Sequence, residues 1–155
     1  MADAKLTALS AMTTATTDDI MYIVDDPTGT PASKKITIAN LIASLKIVTW
    51  NNVTGTSASA SVNNGYLANN ASLVTITLPS SSAVLDIVRI AGVGAGGWKL
   101  AQNASGYVQY GNQITTVGTG GFLSSVNQYD AVELICTATN NGWTVISSQG
   151  NVSVT

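Results

Sequence analysis

Beyond residue 47 the apolar positions fall in short blocks, residues 73–78, 84–90, 107–110, 131–137 and 143–147, separated by clusters of glycine, asparagine and serine. The blocks are rich in β-branched and aromatic side chains, which fit a pleated, half-buried surface, and the clusters between them supply turns. Each block therefore predicts a strand, at the spacing of a sandwich or barrel. Asn140-Asn141-Gly142 lies between the last two blocks and signals a hairpin. Alternation through residues 131–137 places Val132, Leu134 and Cys136 on one face and Glu133, Ile135 and Thr137 on the other, which makes Cys136 a small core residue. Residues 84–90 carry apolar side chains at both parities, and a second apolar face implies burial against another subunit.

The first part of the chain is patterned differently. Residues 20–24 form an apolar run between the acidic pairs Asp18-Asp19 and Asp25-Asp26, a strand candidate followed by the turn signal Pro27-Thr28-Gly29-Thr30-Pro31. Ile38, Leu41, Ile42 and Leu45 then stand at i, i+3, i+4 and i+7, the stripe of a two-turn helix with Thr37 as its N-cap. So short a helix is unstable alone in water and must dock its stripe. The expected architecture is mainly β: a C-terminal antiparallel sandwich or jelly-roll-like domain over residues 47–155, preceded by a strand-plus-short-helix module over residues 1–46.

Composition sharpens this division. Of the 155 residues, 54 are Ser, Thr, Asn or Gln, none is histidine, and charged residues make up 9%, against about 25% in an ordinary soluble domain. Nine of the fourteen charges lie in residues 1–46; the rest of the chain carries only Asp86, Arg89, Lys99, Asp130 and Glu133. Six scattered cations in a chain of net charge -2 do not form the basic face that nucleic acid requires. Every apolar run is too short to span a bilayer, and the start of the chain lacks the apolar core of a secretory signal, so synthesis in the cytoplasm is expected. A single cysteine excludes an intrachain disulfide framework.

Motifs that carry chemistry are sparse. Gly92-Val93-Gly94-Ala95-Gly96-Gly97 satisfies G-x-G-x-x-G, but no helical stripe follows it and the next acid is Asp130, so it reads as a turn between strands rather than a dinucleotide site. Asp130 and Glu133, or Asp86, offer carboxylates for glycoside cleavage without histidine. Their odd spacing puts Asp130 and Glu133 on opposite faces of a strand, which favours a turn residue and an exposed or interface residue instead. The serines lack a general base, and neither acidic pair has the spacing of a calcium loop. No catalytic, cofactor or metal residues are expected. The aromatics remain as a binding handle, and Trp98, Tyr107 and Tyr110, next to glycine-rich sequence, are the candidates for contacting a surface ligand such as a host glycan.

Three stretches, Asp3-Ala4-Lys5-Leu6-Thr7-Ala8-Leu9, then Asp18-Asp19-Ile20-Met21-Tyr22-Ile23-Val24-Asp25, then Lys34-Lys35-Ile36-Thr37-Ile38-Ala39-Asn40-Leu41, resemble the start of bacteriophage fibre and virion surface proteins. The C-terminal segments Val108-Gln109-Tyr110-Gly111-Asn112, Gly118-Thr119-Gly120-Gly121, Asp130-Ala131-Val132-Glu133-Leu134 and the stretch from Trp143 to Asn151 are similar to the β-rich ends of such proteins. The resemblance implies a homotrimer on the virion surface, attached to major capsid or tail proteins by its N-terminal region, with Ile38, Leu41, Ile42 and Leu45 as the attachment stripe. The distal β-domain would face outward for host adhesion or particle stabilisation. There is no room for the extended shaft of a long tail fibre, which points to a head fibre, a capsid decoration protein or a short tail fibre. The alternative of a different class is a virion-associated glycan-cleaving enzyme using carboxylates of the β-domain.

Overall fold

The computed structural model describes residues 16, 18–25, 28–30, 32–45 and 47–155, and the chain divides into two compact units, Met1–Ile47 and Val48–Thr155. In the first unit, β1 (Ile20–Asp25) pairs antiparallel with β2 (Ala32–Thr37), in register from Ile20 opposite Thr37 to Asp25 opposite Ala32. The local pattern around Lys34-Lys35 did not announce β2; pairing with β1 imposes the extended conformation there. Thr28 to Thr30 form the turn region, while Asp26 of the second acidic pair, Pro27 and Pro31 of the predicted turn, and the motif from Asp3 to Leu9 lie outside the described residues. Helix α1 (Ile38–Ser44) begins at the expected cap: the Asn40 N–H donates to Thr37 Oγ1 at 3.1 Å.

The second unit is a β-sandwich. Its strands are β3 (Thr49–Val53), β4 (Ser57–Ser59), β5 (Asn64–Ala68), β6 (Val74–Thr77), β7 (Ile87–Gly92), β8 (Trp98–Ala101), β9 (Tyr107–Tyr110), β10 (Gln113–Ile114), β11 (Phe122–Ser125), β12 (Ala131–Ala138), β13 (Gly142–Gln149) and β14 (Val152–Val154). One sheet has seven strands in the order β10-β9-β13-β12-β7-β5-β3, and the other has five in the order β14-β11-β8-β6-β4. The expectation of an antiparallel sandwich is corrected here, because both sheets are mixed. Between β3 and β8 the chain alternates from one sheet to the other, so each return runs in the same direction as the strand it lands beside. That makes β3–β5, β5–β7, β4–β6 and β6–β8 parallel pairs, a short flattened coil. After β8 the chain closes the sandwich mostly with antiparallel pairs, β7–β12, β12–β13, β8–β11 and β11–β14. The parallel coil was invisible in the sequence because several of its strands, such as residues 49–53 and 57–59, are largely polar.

Inward-facing residues of both sheets meet in one core that includes Val74, Ile76, Trp98 and Leu100 from the five-stranded side and Val88, Ile90, Val108, Leu134 and Trp143 from the seven-stranded side. Cys136 is fully buried there, with its sulfur 3.3 Å from Ser82 Oγ. Of the block at residues 84–90, expected to be apolar on both faces, only part is strand. Val84 and Leu85 form an exposed turn, with Leu85 at φ 76°, and the strand starts only at Ile87. From there Val88 and Ile90 point inward while Ile87, Arg89 and Ala91 face outward. Asp86 fixes the change of register by accepting the Ala83 N–H at 2.8 Å. A second buried network replaces apolar packing near residues 102–118: Gln102 Nε2 shares its two N–H groups among the carbonyls of Gly106, Thr116 and Gly118, and its Oε1 accepts from Thr115 Oγ1.

Candidate functional site

The outward face of the seven-stranded sheet carries the most concentrated chemistry in the second unit. The parallel coil sets Trp50 of β3 beside Gly65 of β5, Gly65 beside Arg89 of β7, and the antiparallel pairing sets Arg89 beside Glu133 of β12, with Ser147 of β13 next in the row. Because Gly65 has no side chain, the indole of Trp50 lies down on its backbone. A Cβ at residue 65 would meet three indole carbons at 2.6 to 2.8 Å. With one ring face against the glycine, Trp50 is still 47% exposed. Next to it Arg89 Nη2 donates to Glu133 Oε1 at 2.8 Å, a half-buried cross-strand pair. Arg89 Nε is covered and has no hydrogen-bond partner among the described residues. Trp50, Arg89, Ala91, Glu133, Ser147 and Gln149 line a shallow, open pocket of about 180 Å³.

The residues expected to bind a ligand are not brought together. Trp98 is corrected outright: it is fully buried in the core, on the other sheet, and its indole N–H donates to the Asp130 carbonyl at 2.8 Å. The glycines at the end of β7 do form a turn between strands, as expected, and they let the backbone of Gly94 and Gly96 approach residues 70–72; the tryptophan after it turns inward as the first residue of β8. Tyr107 and Tyr110 lie on opposite faces of β9. Tyr107 covers Gly142 of the neighbouring strand, where a Cβ would come within 2.6 Å of its hydroxyl, so it repeats on a smaller scale the way Trp50 covers Gly65. Tyr110 packs against the core at the sandwich edge with its hydroxyl 3.1 Å from Ser148 Oγ, beside a second shallow depression. Trp50 was not among the favoured candidates, because its placement depends on a glycine fifteen positions away. The only sequence signal was an exposed-parity tryptophan in a polar strand.

The three carboxylates of the second unit each have partners within it. Asp130 is 3% exposed and its Oδ2 accepts the N–H groups of Val126 and Asn127 at 2.8 and 2.7 Å. Burial by itself would raise its pKa, but the backbone donors of Asn127, Val126 and Asn151 together outweigh it and hold the carboxyl below its ordinary value. A glycosidic general acid needs the opposite shift. Glu133 stands on the outward face in its pair with Arg89, and Asp86 is buried at its turn. Lys99 places its ammonium 4.1 Å from the centroid of the Phe122 ring. All five charges of the second unit are thus engaged within it, and the surface is left to neutral polar and apolar groups.

In the first unit the predicted attachment stripe lies along α1. Ile38 and Leu41 are half-buried, whereas Ile42 is 41% exposed and Leu45, just beyond the helix, 61%. No family model matches the chain, and no curated protein matches it in sequence.

Proposed function

We propose that the chain is a non-catalytic structural protein of a bacteriophage virion surface, a head fibre, capsid decoration protein or short tail fibre, assembled as a homotrimer. Its first unit attaches to capsid or tail proteins, and its second unit is displayed outward for host adhesion or particle stabilisation. The observation that carries this reading is the way the β-sandwich spends its charges. Asp86 and Asp130 cap loops, Arg89 and Glu133 pair with each other, and Lys99 stacks on Phe122. A surface built from neutral polar groups with scattered exposed apolar side chains, such as Val117, Val126 and Tyr129, suits contact with other subunits and with neutral ligands. The exposed part of the α1 stripe supports attachment through the first unit, because an apolar helix face gains free energy only when something covers it. The resemblance of the N-terminal and C-terminal segments to virion surface proteins supplies the particle. Trimeric display would let weak individual contacts add.

The test is to label phage particles that encode this chain with antibody against residues 48–155 and image them by electron microscopy. Label at three-fold-related or regularly spaced positions on the head, or at the tail tip, is the expected result. Particles that carry no label while the protein accumulates free in the infected cell would overturn the reading.

A further inference from the structure

We propose that the pocket on the outward face of the seven-stranded sheet is a binding site for a neutral pyranose sugar, with Trp50 as its stacking platform. The indole is held flat by the bare backbone of Gly65 and presents its other face to solvent, a geometry that a side chain at residue 65 would abolish. The C–H groups on one face of a pyranose ring carry slight positive charge, and they complement the electron-rich face of an indole. The ring's hydroxyls need planar, rigid polar partners at its edge. The Arg89–Glu133 pair stands there with its geometry already fixed, using one carboxylate oxygen and one guanidinium nitrogen and leaving the other carboxylate oxygen and a guanidinium amino group for a ligand. Ser147 and Gln149 add a hydroxyl and an amide to the same rim.

Charge decides the class of ligand. The two ions of the site neutralise each other, and the remaining charges of the second unit are engaged elsewhere, so nothing here selects an anion or a cation. A neutral ligand with one apolar face and a hydroxylated edge fits; a phosphate, an acidic peptide or nucleic acid does not. The open, shallow form of the pocket accommodates one sugar unit of a longer chain, whose other units extend over the sheet, and repeated display would compensate for weak single-site affinity. The proposal rests on the displayed-surface reading only in requiring that this face be open in the assembled protein.

The molecule contains its own reporter. Trp98 and Trp143 are fully buried and Trp50 is exposed, so a ligand-induced change in tryptophan emission reads Trp50. The full chain would be titrated separately with dextran, mannan and arabinogalactan, and binding also followed by retention on the immobilised polysaccharides. At least one is expected to shift the emission to the blue, with half-saturation near about 1 mM in hexose units for a single site. Trp50→Ala should weaken retention about tenfold or more, as loss of a central aromatic anchor does, and Glu133→Gln should weaken it several-fold while leaving the far-ultraviolet dichroism of the sandwich unchanged. If Trp50→Ala does not fold, Trp50→Phe, which keeps a smaller flat ring, should retain binding at reduced strength. Absence of any emission change or retention with all three polysaccharides would overturn the site, and so would binding that Trp50→Ala and Glu133→Gln leave intact. A particle that carries the protein yet fails this assay would sink the sugar site alone and leave the virion role standing.

Discussion

Trp98 and Trp50 show how differently the interior of the sandwich and the outward face of its seven-stranded sheet use the same side chain. Trp98 is wrapped on all sides, its indole N–H satisfied by the Asp130 carbonyl, and Asp130 in turn holds the loop at Val126 and Asn127 with its carboxylate. Trp50 rests on a glycine at a sheet edge with half of its surface in water. The first arrangement converts apolar area and hydrogen bonds into stability; the second leaves apolar area uncovered beside a rigid ion pair. The lesson is that an aromatic next to glycine-rich sequence is as readily the first inward residue of a strand as a surface contact.

That contrast is most easily broken at the interior. Trp98→Ala removes a fully buried side chain and one of the two donors to the Asp130 carbonyl, the other being the Gly92 N–H, and it should cost about 3–5 kcal/mol, enough to leave little folded protein in a thermal melt. If instead Trp98→Ala melted within a few degrees of the parent and only lost retention on polysaccharide, Trp98 would belong to the functional surface after all.

Asp130→Ala comes next, with an expected loss on the order of 3 kcal/mol because several backbone N–H groups lose a charged acceptor. The pH dependence is signed. The folded chain holds this carboxyl below its ordinary value of 3.8, so its stabilisation is complete above that value and drains away as the pH falls through the folded one. Urea midpoints of the parent should therefore fall below about pH 4 more steeply than those of Asp130→Asn. Equal slopes would show that the carboxylate is not the anchor described.

The smallest effect concerns the exposed turn. Leu85 holds φ 76° with 62% of its surface in water, so Leu85→Gly relieves backbone strain while giving up little burial. It should change stability by no more than about 1 kcal/mol, in the stabilising direction. A clear loss in the melting temperature would mean that Leu85 packs against another copy of the chain in solution.

Much of the fold was legible where periodicity was strong. The strands at residues 107–110, 131–138 and 142–149, the inward row of Val132, Leu134 and Cys136, and the cap at Thr37 all follow from local pattern. The parallel coil did not, because β3 and β4 are polar strands whose conformation is set by pairing with β5 and β6 rather than by their own residues. Gln102 was equally hidden, since a buried glutamine whose amide bridges three carbonyls looks in sequence like a loop residue. The site was the least legible part. It depends on the registers that align Trp50, Gly65, Arg89 and Glu133 across four strands, and register is a property of the assembled sheet.

The division between a stabilising interior and a binding exterior is tested most directly at Gly65, which touches no ligand. Gly65→Ala would place a methyl group against the indole carbons of Trp50, and on this exposed edge the ring is free to swing away rather than unfold the sheet. The account predicts a melting temperature within a few degrees of the parent and retention on the bound polysaccharide weakened at least about fivefold, close to the effect of removing the anchor itself. Unchanged retention by a folded Gly65→Ala protein would contradict it, because the platform would then not depend on the glycine that holds it flat.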